Sequence, residues 1–171
     1  MLSFDDENPN NNWQRTDYEE SNADGRGYGL FWSGTDLYAV FSIDGTQGTP
    51  DQDFRRASSD ASTSWLRSYG QGGGAKVAII GRIDPVTGDL LDAAYISAVL
   101  KDGKTNTLGV TDLSVTANGN LLVRSDARFY PRNVDGSPML NVGDTPAPFD
   151  YTVELTPDLK QVISTSAIGV Q

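Results

Sequence analysis

Apolar positions along this chain fall in short runs with the two-residue period of strands, and the clearest pair lies in its middle. Residues 77–83 and 90–96 are β-rich runs separated by Asp84, Pro85, Thr87 and Gly88, residues that favour tight reversals. They predict a β-hairpin. Both of its faces carry apolar residues, Val77, Ile79 and Ile83 on one and Ala78 and Ile80 on the other, as expected of strands covered on both sides. A second hairpin is expected from 30–32, the turn Ser33-Gly34-Thr35-Asp36, and 37–43, with Leu37, Ala39, Phe41 and Ile43 at period two. A third spans 109–115, Ala117-Asn118-Gly119-Asn120 and 121–129, with Asn-Gly as its hairpin signal. After a loop holding Pro131, Pro138, Pro146 and Pro148, residues 149–155 alternate strictly, with Phe149, Tyr151, Val153 and Leu155 on one face. The turn Thr156-Pro157-Asp158 returns into 161–168.

These hairpins repeat. Aligning Asp84-Pro85 with Thr156-Pro157 gives an offset of 72, which also pairs Ile83 with Leu155, Leu90 with Val162 and Ile96 with Ile168. Aligning Asp36-Leu37-Tyr38-Ala39 with Asn120-Leu121-Leu122-Val123 gives an offset of 84, and the difference of 12 falls in the connection between hairpins. Two copies of one four-stranded antiparallel unit follow, about 28–97 and 109–168. Each unit resembles the short bacterial β-propeller repeat, the SBBP type. The residues that carry the resemblance are Asn118-Gly119-Asn120-Leu121-Leu122-Val123, the glycine-rich 69–75 leading into 76–83, then Asp84-Pro85, Gly88-Asp89-Leu90-Leu91 and Tyr95. The usual Tyr-Val after the Asn turn is Leu122-Val123 in the second copy and Tyr38-Ala39 in the first.

The expected fold is therefore all-β, its two units either propeller-blade-like or packed as an eight-stranded sandwich or barrel. Propellers close with four to eight blades, so two blades cannot make a ring. Uncovered edges would then call for association with another copy or another protein. The resemblance also implies an extracellular or periplasmic location.

The 171 residues suit one domain, with residues 1–27 read as an acidic arm and 28–171 as the all-β body. The arm holds seven acids and two bases, half of the net charge of −10, and only Leu2, Phe4, Trp13 and Tyr18 as large apolar groups. Trp13 is the residue expected to anchor it. The connection 46–75 is rich in Ser, Thr, Asp, Gln and Gly and ends in Gly72-Gly73-Gly74. Within it Phe54, Ala57, Ala61 and Trp65 have helical spacing, so a short helix is expected near 60–69. Its aromatic and cationic side chains, Phe54, Arg55, Arg56, Trp65 and Tyr69, are the candidate binding surface, weighed against a role for Trp65 as a plug of the core.

Composition narrows the chemistry. The chain has no cysteine and no histidine, which removes disulfides, thiolate or imidazole metal sites and His-based catalytic triads. A net charge of −10 repels phosphate backbones and makes nucleic acid an unsuitable partner. No run approaches the roughly 18 apolar residues of a membrane-spanning helix. No cofactor is implied. Ca²⁺ is the ion that Asp5-Asp6-Glu7 with Asn8 and Asn10 would suit, though the spacing matches no EF-hand and a solvated leader explains it as well. The segments Asn22-Asp24-Gly25 and Lys101-Asp102-Gly103 read as turns. Asp84, Asp89, Asp92, Asp112 and Asp126 could in principle supply a hydrolytic pair, yet most sit where turns want Asp. The expected function is non-enzymatic: a structural or binding module using sheet edges and the 46–75 loop. The alternative is a monomeric sandwich or barrel that binds a small ligand or carbohydrate, with Ca²⁺ as its ion.

Overall fold

The computed structural model describes residues 1–21, 23–44, 47–70, 76–140 and 146–168. Two four-stranded antiparallel sheets pack face to face, and neither closes on itself. Sheet 1 is the meander β3 (Asp24–Trp32), β4 (Leu37–Asp44), β5 (Val77–Ile83) and β6 (Leu90–Ile96), in that spatial order. Sheet 2 is the meander β9 (Leu108–Val115), β10 (Leu121–Ala127), β11 (Phe149–Leu155) and β12 (Val162–Ala167). Two small ladders complete the strands: β1 (Leu2–Ser3) with β2 (Trp13–Gln14), and β7 (Ala98–Val99) with β8 (Thr105–Asn106).

The internal repeat is visible in the register. Leu37 pairs with Ile83 and Ile43 with Val77 in sheet 1; Leu121 pairs with Leu155 and Ala127 with Phe149 in sheet 2. These are the same pairs under the offsets of 84 and 72. The irregularities coincide as well. The first and second strands slip between Val40 and Phe41 in sheet 1 and between Arg124 and Ser125 in sheet 2. The third and fourth slip between Arg82 and Ile83, and between Glu154 and Leu155. A bulge puts an extra residue in one strand and increases local twist, so two sheets bulged at the same steps share a curvature and can nest.

The period-two pattern sorts the core. Tyr38, Val40, Ala78, Ile80, Ala94 and Ile96 of sheet 1 meet Leu121, Val123, Tyr151, Val153 and Leu155 of sheet 2, all buried. Ala39, Ile43, Val77, Ile79, Ile83 and Tyr95 point the other way, into a second cluster beneath Tyr18, Phe54 and Tyr69. Sheet 1 is therefore covered on both faces. Sheet 2 shows solvent a polar face, with Arg124, Asp126 and Asp150 exposed. Neither outer face asks for another sheet, which leaves the edges as the open parts of the molecule.

The cover over sheet 1 is built from the arm and the connection. The Trp13 indole N–H donates to Pro85 O at 3.1 Å, and the Tyr18 hydroxyl donates to Gly88 O at 2.6 Å. Arg15 pairs with Asp17 and with Asp89 across the hairpin turn. The Glu20 N–H donates to Gln52 O at 2.8 Å, knitting arm to connection. Phe41 packs at a tilt between Tyr18 and Phe54, with ring centroids 5.8 and 4.9 Å away. The strand expected at 30–32 begins at Asp24, ahead of the expected start of the body at 28, so Asp24 and Gly25 lie in β3 rather than in a turn; Asn22 lies outside the described residues.

The helix expected at 60–69 is replaced by α1 (Arg55–Ser58) and a 3-10 turn at Ser64–Leu66. The four helically spaced residues do not share a face. Phe54 and Ala57 belong to the outer cluster of sheet 1, whereas Ala61 and Trp65 join the cluster between the sheets. The connection crosses from one face of sheet 1 to the other around β6, and a continuous helix could not make that bend. Beyond the crossing, Thr63 N–H donates to Lys160 O and Val162 N–H to Thr63 Oγ1, so the same segment ties sheet 1 to sheet 2. Gly72-Gly73-Gly74 lies outside the described residues.

The charges on the cover give its docking a pH optimum. Hydrogen bonds from Arg15 hold the Asp17 carboxyl below its ordinary 3.8, and bonds from Thr87 and Arg15 do the same for Asp89. A depressed folded value adds stability above the unfolded value and loses it as pH falls through the folded one. Burial of Glu19 acts with the opposite sign and raises its carboxyl above 4.5; its contribution is complete below 4.5 and fades as pH rises. Asp53, Arg55 and Arg56 are the charged groups beside it. The arm is thus expected to loosen as pH falls through the depressed values of Asp17 and Asp89, and again as pH rises above 4.5 through the raised value of Glu19. Trp13 fluorescence between pH 2 and pH 8 reads this, and Glu19→Gln should flatten only the upper limb.

Candidate functional site

Sheet edges differ in how they are closed. The β6 edge is wrapped by the connection, and β9 enters next to β5, where the Leu108 N–H donates to Lys76 O at 3.0 Å. The β3 edge has no such cover: every residue from Asp24 to Trp32 is exposed except Phe31. Its composition explains this. Gly25, Gly27 and Gly29 carry no side chains, and a Cβ at Gly27 or Gly29 would meet nothing within 4 Å. Tyr28 stands between the last two glycines and Leu30 and Trp32 follow them, 63, 59 and 55 % exposed. Large apolar groups that open on one strand are informative in a way that scattered ones are not.

A bulge shapes the site. Gly27 pairs with Phe41 and Gly29 with Val40, which leaves Tyr28 as the extra residue. Opposite, β9 carries its own bulge at Thr111, since Asp112 pairs with Arg124 and Val110 with Ser125. Both bulges open onto one cleft. One end, about 220 Å³, sets Tyr28, Phe31, Val40, Val110 and Leu113 beside Thr111 and Asp112. Through Tyr28 it continues into a second space of about 200 Å³ toward Lys76 and Arg128, and through Lys76 into a third of about 200 Å³ beside Arg26 and Asp44. Among the described residues, Arg26, Lys76 and Arg128 form no ion pair, and neither do Asp24, Asp44, Asp112 and Asp126. The cleft therefore offers apolar side chains beside the unpaired Asp112 at one end and unpaired charges of both signs farther along.

The side chains singled out in the connection serve packing. Phe54 is 1 % and Tyr69 3 % exposed, both in the cluster on the outer face of sheet 1, where Tyr69 and Tyr95 lie 5.9 Å apart. Arg55 bonds the buried Asp53 carboxylate, with Nη2 to Oδ2 at 2.7 Å. Arg56 donates to the backbone oxygens of Tyr18 and Asp17, both at 2.9 Å. Trp65 plugs the gap between the connection and the proline-rich loop: its indole N–H donates to Val134 O at 3.1 Å, and the Arg132 guanidinium sits 5.5 Å above its ring. A shared surface of these five residues is not present, because the second apolar face of the 77–96 hairpin needed a cover and took Phe54 and Tyr69, while Trp65 packs against the cluster between the sheets.

The candidate carboxylates also have local partners. Asp84 Oδ1 accepts the N–H groups of Val86 and Thr87, as a turn Asp does. Asp92, 6 % exposed, holds Arg82 and reaches Lys160, in the turn between β11 and β12, at 3.5 Å. Asp112 and Asp126 line different parts of the cleft. Asp5 caps a turn through the N–H groups of Glu7 and Asn8 and holds Asn11, and Asp102 accepts the N–H of Lys104. Among the described residues no three acidic side chains converge on a point that could hold a metal ion. No described helix is long and apolar enough to cross a membrane.

Comparison with protein-family models, curated proteins and solved structures found no match.

Proposed function

We propose that this chain is a non-enzymatic binding module that takes an extended segment of a protein partner along the β3 edge. The observation that carries this reading is an uncovered nine-residue edge strand with Tyr28, Leu30 and Trp32 each more than half exposed. An edge strand presents unpaired N–H and C=O groups, so main-chain pairing supplies affinity and alternate side-chain pockets supply selectivity. Here the space among Tyr28, Val110, Asp112 and Leu113 would take one partner side chain, and Arg26, Lys76 and Arg128 would meet polar groups farther along. The β-propeller resemblance supports a place outside the cytoplasm.

The test uses a display library of random nonapeptides, with binding mapped by amide shifts. Peptides are expected to perturb β3 amides, and Leu30→Lys is expected to weaken them at least 10-fold, since a lysine on an edge discourages strand addition. Shifts confined elsewhere, or affinity untouched by Leu30→Lys, would refute the assignment. A second reading, a small ligand or sugar in the cleft, is favoured by the exposed phenol of Tyr28. The space beside Tyr28 and Asp112, at about 220 Å³, falls below the roughly 300–1,000 Å³ of drug-sized sites, which limits that ligand to about one ring. Glycan-array binding that disappears in Tyr28→Ala would select it.

A further inference from the structure

The last strand of sheet 2 is the other open edge, and it differs from β3. From Val162 to Ala167 the sequence VISTSA holds no charge, proline or glycine. Natural edges are blunted by lysine, proline, bulges or a covering loop. The irregularity of β12 lies at its start, where Thr63 covers Val162. The rest of β12 is undefended, with Ile163 43 % and Ile168 70 % exposed.

The direction of its backbone groups follows from the ladder. Ile168 N–H donates to Asp150 O at 2.9 Å, so Ser166 and Ser164, two and four residues earlier, share that phase toward β11. Thr165 and Ala167 then direct N–H and C=O outward. We infer that β12 pairs antiparallel with β12 of a second copy of this chain, joining two sheets into one of eight strands. This goes beyond the β3 reading and does not depend on it.

Charge selects this occupant. In a chain of net charge −10, contact between two copies generally sets acid against acid. A two-fold axis at Thr165 instead sets Thr165 against its equivalent and Ser164 against Ser166 of the second copy, hydroxyl pairs that favour pairing. The nearest acids, Asp150 and Glu154, belong to β11, and Glu154 leans over β12, where its Oε2 accepts the Ser164 hydroxyl at 2.9 Å. The two β11 backbones stand three strand spacings apart, roughly 14 Å, with the Glu154 carboxylates nearer than that, so their repulsion is damped at the Debye length of about 8 Å of physiological salt and grows at low salt. Salt should therefore tighten the dimer. A contact built on complementary charges would loosen.

Sedimentation velocity of the full chain across a dilution series tests this. The expected result is a dimer of twice 18.4 kDa that dissociates on dilution and more readily at low salt. Thr165→Pro removes an outward donor without touching the β11 ladder, and Ser166→Lys adds an edge lysine; each should raise the dissociation constant at least 10-fold with the far-UV spectrum kept. Having two unrelated variants guards against one that fails to fold. A monomer up to about 1 mM, an open-ended polymer, or a dimer that both variants leave intact overturns the inference. So does a dimer abolished only by Leu30→Lys, which would place the contact on β3 and leave the proposed function standing.

Discussion

Replacing Gly88 by valine is expected to destabilise the protein by about 3–5 kcal/mol, and the arm should come away from the sheet. Two costs coincide at this position. Gly88 has φ +75°, where an L side chain costs roughly 1–2 kcal/mol. A Cβ there would stand 2.5 Å from Trp13 Cε3, so the indole must leave the place where it bonds Pro85. Losing the packing of a large aromatic accounts for the rest. Urea unfolding of Gly88→Val, Trp13→Ala and the double variant reads the coupling. The double variant should be less destabilised than the sum of the singles, because the clash disappears with the indole. Additive values would show that Trp13 and Gly88 do not meet.

Ile80→Ala should cost about 3–4 kcal/mol, equivalent to a fall in melting temperature of roughly 6–16 °C for a domain of this size. Ile80 is fully buried in the cluster between the sheets and is flanked by Val40 and Ala94 across the ladder. Its truncation leaves a cavity that two facing sheets cannot close without moving against each other. The thermogram is expected to retain one transition, since Asp92, Lys160 and Thr63 bind the two sheets into one unit. Two separated transitions would mean that each meander melts alone. Ile163→Ala on the open edge serves as a control and should change stability by less than about 0.5 kcal/mol.

Strand pattern carried the architecture because each sheet is a meander of neighbours in sequence. Alternation in 149–155, the Asp84–Gly88 turn and Asn118-Gly119 all specify local pairing, and the internal offsets of 72 and 84 survive as identical registers. Segments whose structure depends on distant partners were not legible. Asp24 to Gly27 contains poor strand formers, and only pairing with β4 makes it a strand. The alternating glycines at 25, 27 and 29 were the available signal for a bare edge. In the connection, hydrophobicity marked Phe54 and Tyr69 as anchors but did not say whether they faced inward. The apolar second face of the 77–96 hairpin held that answer, because something in the chain had to cover it. The cleft could not be read at all, since it arises where bulges at Tyr28 and Thr111 approach in space.

The distance in sequence between Trp13 and its acceptor has a consequence for synthesis. Pro85 follows Trp13 by 72 residues, which at about 5–20 residues per second takes roughly 4–14 s to translate. For that interval the arm has emerged from the ribosome and its binding site does not yet exist. The acids at Asp5, Asp6, Glu7, Asp17, Glu19 and Glu20 keep the waiting segment charged and hydrated, which protects Trp13 and Tyr18 from premature aggregation. Sheet 1 can then acquire its cover as soon as the hairpin turn at Gly88 is made, before the second meander is complete.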